Sequence, residues 1–299
     1  MQPYDIALLG HYTKDTICSP SGTRVVDGGA CNYGGNVAVR MGLRTAVITR
    51  LAQADAHVVD GLRALGADVF ARMTPSSTCL RLVYPTTNVD QRTIHVASTA
   101  GPFTPAEVQP VQARAFLIGA SMRDEVDLDV IGELEKKDAW LVADVQSFLR
   151  VNRDGVLVAE AWPQKEDVLG RLRVLKTDAV EAELLTGESD IERAARTIAA
   201  WGPREVVLTH REGVLVLAEG KFHRAGFFPR ELVGRSGRGD TCIASYICKR
   251  LAATPAEATI WAAAVTSLKM EAEGPFRRDM RDVEALIRAR YSSLAQRTS

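Results

Sequence analysis

The chain has 299 residues, 46% of them hydrophobic and 25% charged, and its formal net charge is zero. That length supplies core for roughly two domains, and the composition is that of an ordinary globular protein. With neither a basic excess nor an acidic block, nothing points to nucleic acid, a membrane surface or a disordered tail.

At the N-terminus, MQPYDIALLGHYTKD has no basic region ahead of a long apolar run, so no signal or transit peptide is expected. Within it, residues 5–10 read as a buried strand ending in a glycine. Residues 12–27 then mix Thr, Val and Arg with turn residues. A helix is predicted over 32–42, a strand over 45–52 and a helix over 55–66. Residues 72–99 break the rhythm: 79–84 and 92–96 alternate like the half-exposed strands of a hairpin. Apolar runs at 115–120, 140–146, 172–178 and 205–209 read as further buried strands, with helices over 124–137 and 189–201. The last third is helical, at about 239–252, 255–272 and 279–294.

Strands alternating with helices imply a doubly wound, mostly parallel α/β core, assembled from 1–11, 28–71 and 100–299. Residues 12–27 and 72–99 form a small β-flap, the candidate lid. An open flap edge could pair with a second copy and give a homodimer. Cys18, Cys31, Cys79, Cys242 and Cys248 form no CxxC pair and fit free thiols in a reducing, cytoplasmic compartment. No apolar stretch exceeds about ten residues, too few to span a bilayer.

In such sheets ligands sit beyond the carboxyl ends of the strands. The sharpest motif is Gly234-Arg-Ser-Gly237-Arg238-Gly239-Asp240-Thr241, opening an apolar-periodic helix. A helix start of this kind holds anions, because its first amides lack partners and its dipole is positive there. Gly234 and Gly239 have the spacing of a P-loop, but Asp240 stands where that motif needs lysine. An acid there fits a base that takes a proton from an attacking hydroxyl. The plainer reading is that Ser236 or Asp240 caps the helix and the glycines make its turn.

With these residues the chain resembles the phosphofructokinase-B/ribokinase family of carbohydrate kinases over essentially its whole length. The resemblance implies a ribokinase-like three-layer α/β/α fold, a phosphoryl transfer from ATP with Mg²⁺, and a small-molecule acceptor. It implies that Asp240 is the catalytic base and that Gly237, Arg238 and Gly239 form the anion hole with it. The family's diglycine motif, a region it uses for substrate hydroxyls, appears as Gly28-Gly29-Ala-Cys-Asn32-Tyr33 and closes at Gly42, which implies that Gly28, Gly29, Asn32 and Tyr33 contact the acceptor. Asp15, after the first strand, matches the acid that grips substrate hydroxyls, for which a carboxylate is well suited. Lys176-Thr-Asp178-Ala-Val-Glu181 matches the stretch that organises magnesium and phosphates through water, and carboxylates suit Mg²⁺, which keeps most of its waters. The same pair also reads as an N-cap with an acid in the first turn. Thr209, Arg211 and Gly213 match the nucleotide-side strand and loop, and Ser267 lies in the helix that the family sets beside adenine.

Tyr33 stands where many members have Asn, and Asp178 likewise. Asp144-Val-Gln146-Ser-Phe-Leu-Arg150 looks like the corresponding stretch of the inositol-kinase-like branch. Together these tilt the acceptor toward myo-inositol or another cyclic polyol, with Gln146 and Arg150 among its contacts. A ribose, fructose or nucleoside kinase of the same family is the rival, and a non-catalytic sugar- or nucleotide-binding regulator is a further one. Arg235 replaces an acid used elsewhere in the family at a monovalent-cation site, so activity independent of potassium is expected.

Overall fold

The computed structural model describes residues 2–86, 92–234 and 236–292. The chain begins with β1 (Tyr4–Leu9), β2 (Thr13–Ser19), β3 (Gly22–Gly28), α1 (Ala30–Arg40), β4 (Thr45–Ala52), α2 (His57–Leu65) and β5 (Asp68–Thr74). It continues through β6 (Thr78–Val83), β7 (Thr93–Ser98), α3 (Pro105–Val108), β8 (Ala113–Ile118), α4 (Leu128–Glu135) and β9 (Trp140–Asp144). Then come α5 (Gln146–Leu149), β10 (Arg150–Arg153), β11 (Val156–Ala159), α6 (Lys165–Leu169), β12 (Val174–Asp178), α7 (Ala179–Thr186) and α8 (Ile191–Ala200). The last elements are β13 (Glu205–Thr209), β14 (Gly213–Ala218), β15 (Lys221–Gly226), α9 (Arg238–Arg250), α10 (Pro255–Met270) and α11 (Met280–Arg290).

The main sheet has the order β15-β14-β13-β12-β9-β8-β1-β4-β5, parallel from β13 to β5 and antiparallel at the β14–β15 edge. Its central strands are apolar on both faces, as a sheet covered on both sides requires. Ile6 and Leu8 enter a core shared with α1, α2, α9 and α10, while Ala7 and Leu9 enter one shared with α4, α7 and α8. Side chains alternate across a strand, so one run of four apolar residues serves both layers. No helix among the described residues is long and apolar enough to cross a membrane.

A second sheet, in the order β10-β11-β7-β6-β2-β3, stands over the strand ends. The expected hairpin is there, β6 against β7, and β2 joins it in parallel with β6. Two expected boundaries shift. Residues 72–74 belong to β5, at the edge of the main sheet, because they continue its parallel ladder with β4. The β10–β11 hairpin, expected in the core, adds to the flap through the pairing of Val156 with His95. Residues 87–91 of the expected flap lie outside the described residues, as does Arg235.

Candidate active site

The loop Phe227–Gly237 leads into α9, whose N-cap Gly237 takes the left-handed conformation at φ 72°. A side chain there would also strike the Tyr33 ring at 2.3 Å, so glycine is required twice over. The first internal bond of α9 is Thr241 N–H to Gly237 O, 2.9 Å, and the amides of its first turn have no intrahelical acceptor. Asp240 lies in that turn and is partly buried. Among the described residues its carboxylate accepts no hydrogen bond, which leaves it open to a substrate proton. Burial pushes its pKa above the ordinary carboxylate value, although Lys176, Arg150 and Lys269 pull the other way.

Beneath the turn lies a buried ion pair, Lys176 Nζ to Asp144 Oδ2 at 2.8 Å, between the neighbouring ends of β12 and β9. Gly239 has no Cβ because one would meet Lys176 Nζ at 2.7 Å; the ammonium abuts the mouth of the helix. Burial alone would depress Lys176, but Asp144, Glu181 and Asp178 outweigh it and hold the ammonium charged above the usual lysine range. Asp144 is pushed up by burial, which Lys176 only partly offsets.

On the flap side, β2 carries Asp15 and β3 runs into Gly28, Gly29 and α1. Asp15 and Tyr33 are nearly inaccessible, and among the described residues Asp15 Oδ1 and the Tyr33 hydroxyl have no partner. Burial raises Asp15 to about 6, with Thr13 opposing and the nearby charge of Asp240 adding to the rise. Tyr33 is raised by burial and by the charges of Asp15 and Asp240. Two orphaned polar groups thus sit close enough to Asp240 to feel its charge, a constellation that asks for hydroxyls from outside.

The other expected residues have partners within the chain. Asn32 donates to Asp27 O and accepts from Asn36, so its amide is taken up locally. Gln146 donates to Ala120 O at 3.4 Å. Arg150, expected on the acceptor side, meets Glu181 at 3.3 Å and lies near enough to Asp240 for its charge to oppose the rise of that acid's pKa. Asp178 and Glu181 form a reciprocal capping box at the start of α7: Glu181 N–H to Asp178 Oδ1, 2.8 Å, and Asp178 N–H to Glu181 Oε2, 3.0 Å. Arg150 bonds the remaining Glu181 oxygen, so each oxygen of that acid already accepts one hydrogen bond, an arrangement compatible with a magnesium ion held through its waters. No group of three His, Cys, Asp or Glu side chains that could hold a metal ion converges among the described residues.

Of the nucleotide-side residues, Thr209 and Gly213 stand at the two sides of one hairpin end, where Thr209 pairs with Val214 and His210 N–H donates to Gly213 O. Thr209 is buried and donates to Thr177 O, Gly213 pairs with Gly226 in the β14–β15 ladder, and Arg211 is exposed. Ser267, fully buried, donates to Ala263 O and accepts from Phe228 N–H. That bond fastens the Phe227–Gly234 loop onto α10, along with bonds from Val233 and Gly234 N–H to Met270 O. Sequence reasoning missed Lys269, a buried cation beside the turn. It is the single charged residue in the run 261–270, and that isolation was the available signal.

Residues 13–277 match the family model for pfkB family carbohydrate kinases. The chain belongs to that family. It is therefore a phosphotransferase acting on a hydroxyl acceptor. Among solved structures, this pfkB kinase is similar to a pyrophosphate-dependent kinase of the ribokinase family, solved with a pyrophosphate analog and myo-inositol. The two are 34% identical, over 94% of this chain and 99% of that one, with a TM-score of 0.87. It is also similar to a pyrophosphate-dependent myo-inositol-1 kinase that two substitutions convert into a myo-inositol-3 kinase: 33% identity, 96% and 99% coverage, TM-score 0.86. These likenesses support the inositol-kinase-like branch. A ribokinase from Thermotoga maritima, 16% identical with a TM-score of 0.74 over 95% of this chain and 99% of that one, shares the fold. A cytidine kinase from Thermococcus kodakarensis is 24% identical over 258 residues, 81% of this chain and 87% of its own length.

Proposed function

We propose that this pfkB kinase phosphorylates a ring hydroxyl of myo-inositol or a closely similar cyclic polyol, with inorganic pyrophosphate as donor. The observation that carries the acceptor is the pair of buried, unpartnered groups beside Asp240, Asp15 Oδ1 and the Tyr33 hydroxyl. A polyol with adjacent hydroxyls would satisfy an acceptor and a donor–acceptor at once. The donor departs from the ATP expected from sequence. Thr209, Gly213 and Ser267 have their polar groups taken up within the protein, while Lys176, Arg150 and Lys269 gather positive charge around Asp240. A compact, highly charged donor with no base suits that arrangement. The 34% and 33% identical kinases described as pyrophosphate-dependent support the same reading.

In the transfer, Asp240 accepts the proton of the attacking hydroxyl as its oxygen bonds to phosphorus and the bridging P–O bond breaks, releasing orthophosphate. The first-turn amides of α9 and the Lys176 ammonium stabilise charge on the transferring group, so positioning and electrostatics supply most of the acceleration. Mg²⁺ would enter with the diphosphate, and Asp178 and Glu181 would hold it through its waters.

The test is a turnover screen of the purified chain with pyrophosphate or ATP against inositols, hexoses, pentoses and nucleosides, followed by phosphorus NMR. Inositol monophosphate formed from pyrophosphate is the expected product. Turnover with ATP alone removes the donor assignment, and turnover of nucleosides alone removes the acceptor. The nucleoside-kinase reading has one feature in its favour besides the cytidine kinase likeness. A cavity of about 560 Å³ lies between Phe227–Arg230, the end of α10 and α11, where a base would have room.

A further inference from the structure

Lys269 is a cation in an unusual place. It lies near the end of α10, is 2% exposed, and has no carboxylate within ion-pair distance among the described residues. Its ammonium donates to Gly234 O at 3.0 Å and to Ser236 O, two main-chain carbonyls of the segment that enters the Gly237–Asp240 turn. It also lies 5.3 Å from the centroid of the Tyr33 ring, which packs against Gly237. Burying an ammonium without a partner charge is costly, and a lysine so placed tends to lose its proton. Two carbonyls and an aromatic face, in a site close to where a diphosphate must bind, are the surroundings a free monovalent cation would also choose.

We infer that Lys269 is a positioning residue: its tethered ammonium holds the Gly234 and Ser236 carbonyls and so aims the first-turn amides of α9 at the transferring phosphoryl group, replacing a dissociable monovalent cation. The inference rests on the kinase reading above. The sequence expectation placed this charge on Arg235, which lies outside the described residues; Lys269 is the cation whose contacts with this segment are described. The charged groups facing the ammonium are Asp240 from α9 and Glu273 from the segment after α10, itself 3.0 Å from Arg24 on β3. Burial draws Lys269 down to about 8 against the pull of Glu273 and Asp240, so the turn loses its charge as pH rises through that value.

The experiment compares wild type, Lys269→Ala and Lys269→Arg in sodium, potassium and ammonium salts. Wild-type rates should be indifferent to the cation. K269A should lose roughly tenfold to a hundredfold in kcat, as expected for a charge-assisted hydrogen bond, with acceptor KM little changed. Ammonium or potassium should restore much of that loss, and the larger tetramethylammonium should not. In K269R the alkaline limb of the pH–rate profile should move upward. Severalfold potassium activation of wild type, a K269A loss that no small cation repairs in a folded protein, or an unmoved alkaline limb would each overturn the inference. Should K269A not fold, Lys269→Met and the wild-type salt series decide the matter, since undiminished turnover in K269M would also overturn it. Pyrophosphate affinity by calorimetry, with and without ammonium, makes the same comparison without turnover. Absence of any phosphoryl transfer by wild type, by contrast, counts against the kinase reading, and the calorimetric comparison still judges Lys269.

Discussion

Replacing Gly239 by alanine tests how closely Lys176 approaches the mouth of α9. The new methyl would lie 2.7 Å from Lys176 Nζ and 3.1 Å from its Cε. A comfortable contact needs about 3.5 Å, so the ammonium must retreat by roughly 0.8 Å. It is buried and held 2.8 Å from Asp144, and lengthening that pair to about 3.6 Å costs roughly 1 kcal/mol at an effective dielectric near 20. The better helix propensity of alanine offsets about 0.8–1 kcal/mol of that, so the melting temperature should move by no more than about 3 °C. Catalysis should suffer far more. A charged hydrogen bond lost to the transferring phosphoryl group is worth about 1.5–3 kcal/mol, or roughly 10–150-fold in kcat. Initial rates with pyrophosphate and myo-inositol, beside a thermal melt, measure both. A variant about 1 kcal/mol more stable with undiminished kcat would behave as an ordinary helical Gly→Ala change. Lys176 would then play no part at the helix mouth.

Asp240→Asn should lower kcat by roughly 10²–10⁴ while leaving donor affinity almost unchanged; a near-normal rate removes Asp240 as the base. Because burial raises Asp240, wild-type activity should disappear on acidification at a pH above the usual carboxylate range, and an acid limb near 4 would contradict this. Asp15 binds its proton more tightly in the folded chain, at about 6, so folding stability falls as pH rises from about 4 to 6 and stays lower above. Asp15→Asn should therefore stabilise the free protein at pH 8 by roughly 2–3 kcal/mol while raising acceptor KM at least tenfold, and chemical denaturation with kinetics would expose either failure. Tyr33→Phe removes a buried hydroxyl that has no partner, so stability should hold or rise by about 1 kcal/mol while acceptor KM rises; an unchanged KM would place the acceptor elsewhere.

Much of this molecule is legible along the chain because its signals are local. Apolar strands such as 5–10 and 205–209, alternating with amphipathic helices, announce a covered parallel sheet. The Gly237–Asp240 turn before an apolar helix announces an anion site, and 79–84 with 92–96 announces the flap hairpin. Each follows from the period of its own residues, the freedom of glycine, or the unpaired amides of a helix start.

Tertiary structure decided where polar atoms are already committed. Glu181 is tied to Asp178 and Arg150, Ser267 to Phe228, Thr209 to Thr177, and the β10–β11 hairpin to the flap through His95. Lys269 meets carbonyls 33 and 35 positions away. A side chain's residue type fixes what it can bond, but the partner it finds depends on which distant backbone the packed sheet and helices bring alongside. Composition and periodicity carry no record of that distance. The sequence by itself therefore determined the layers and the glycine turn that opens α9, and the packed chain determined which charges are paired and with whom.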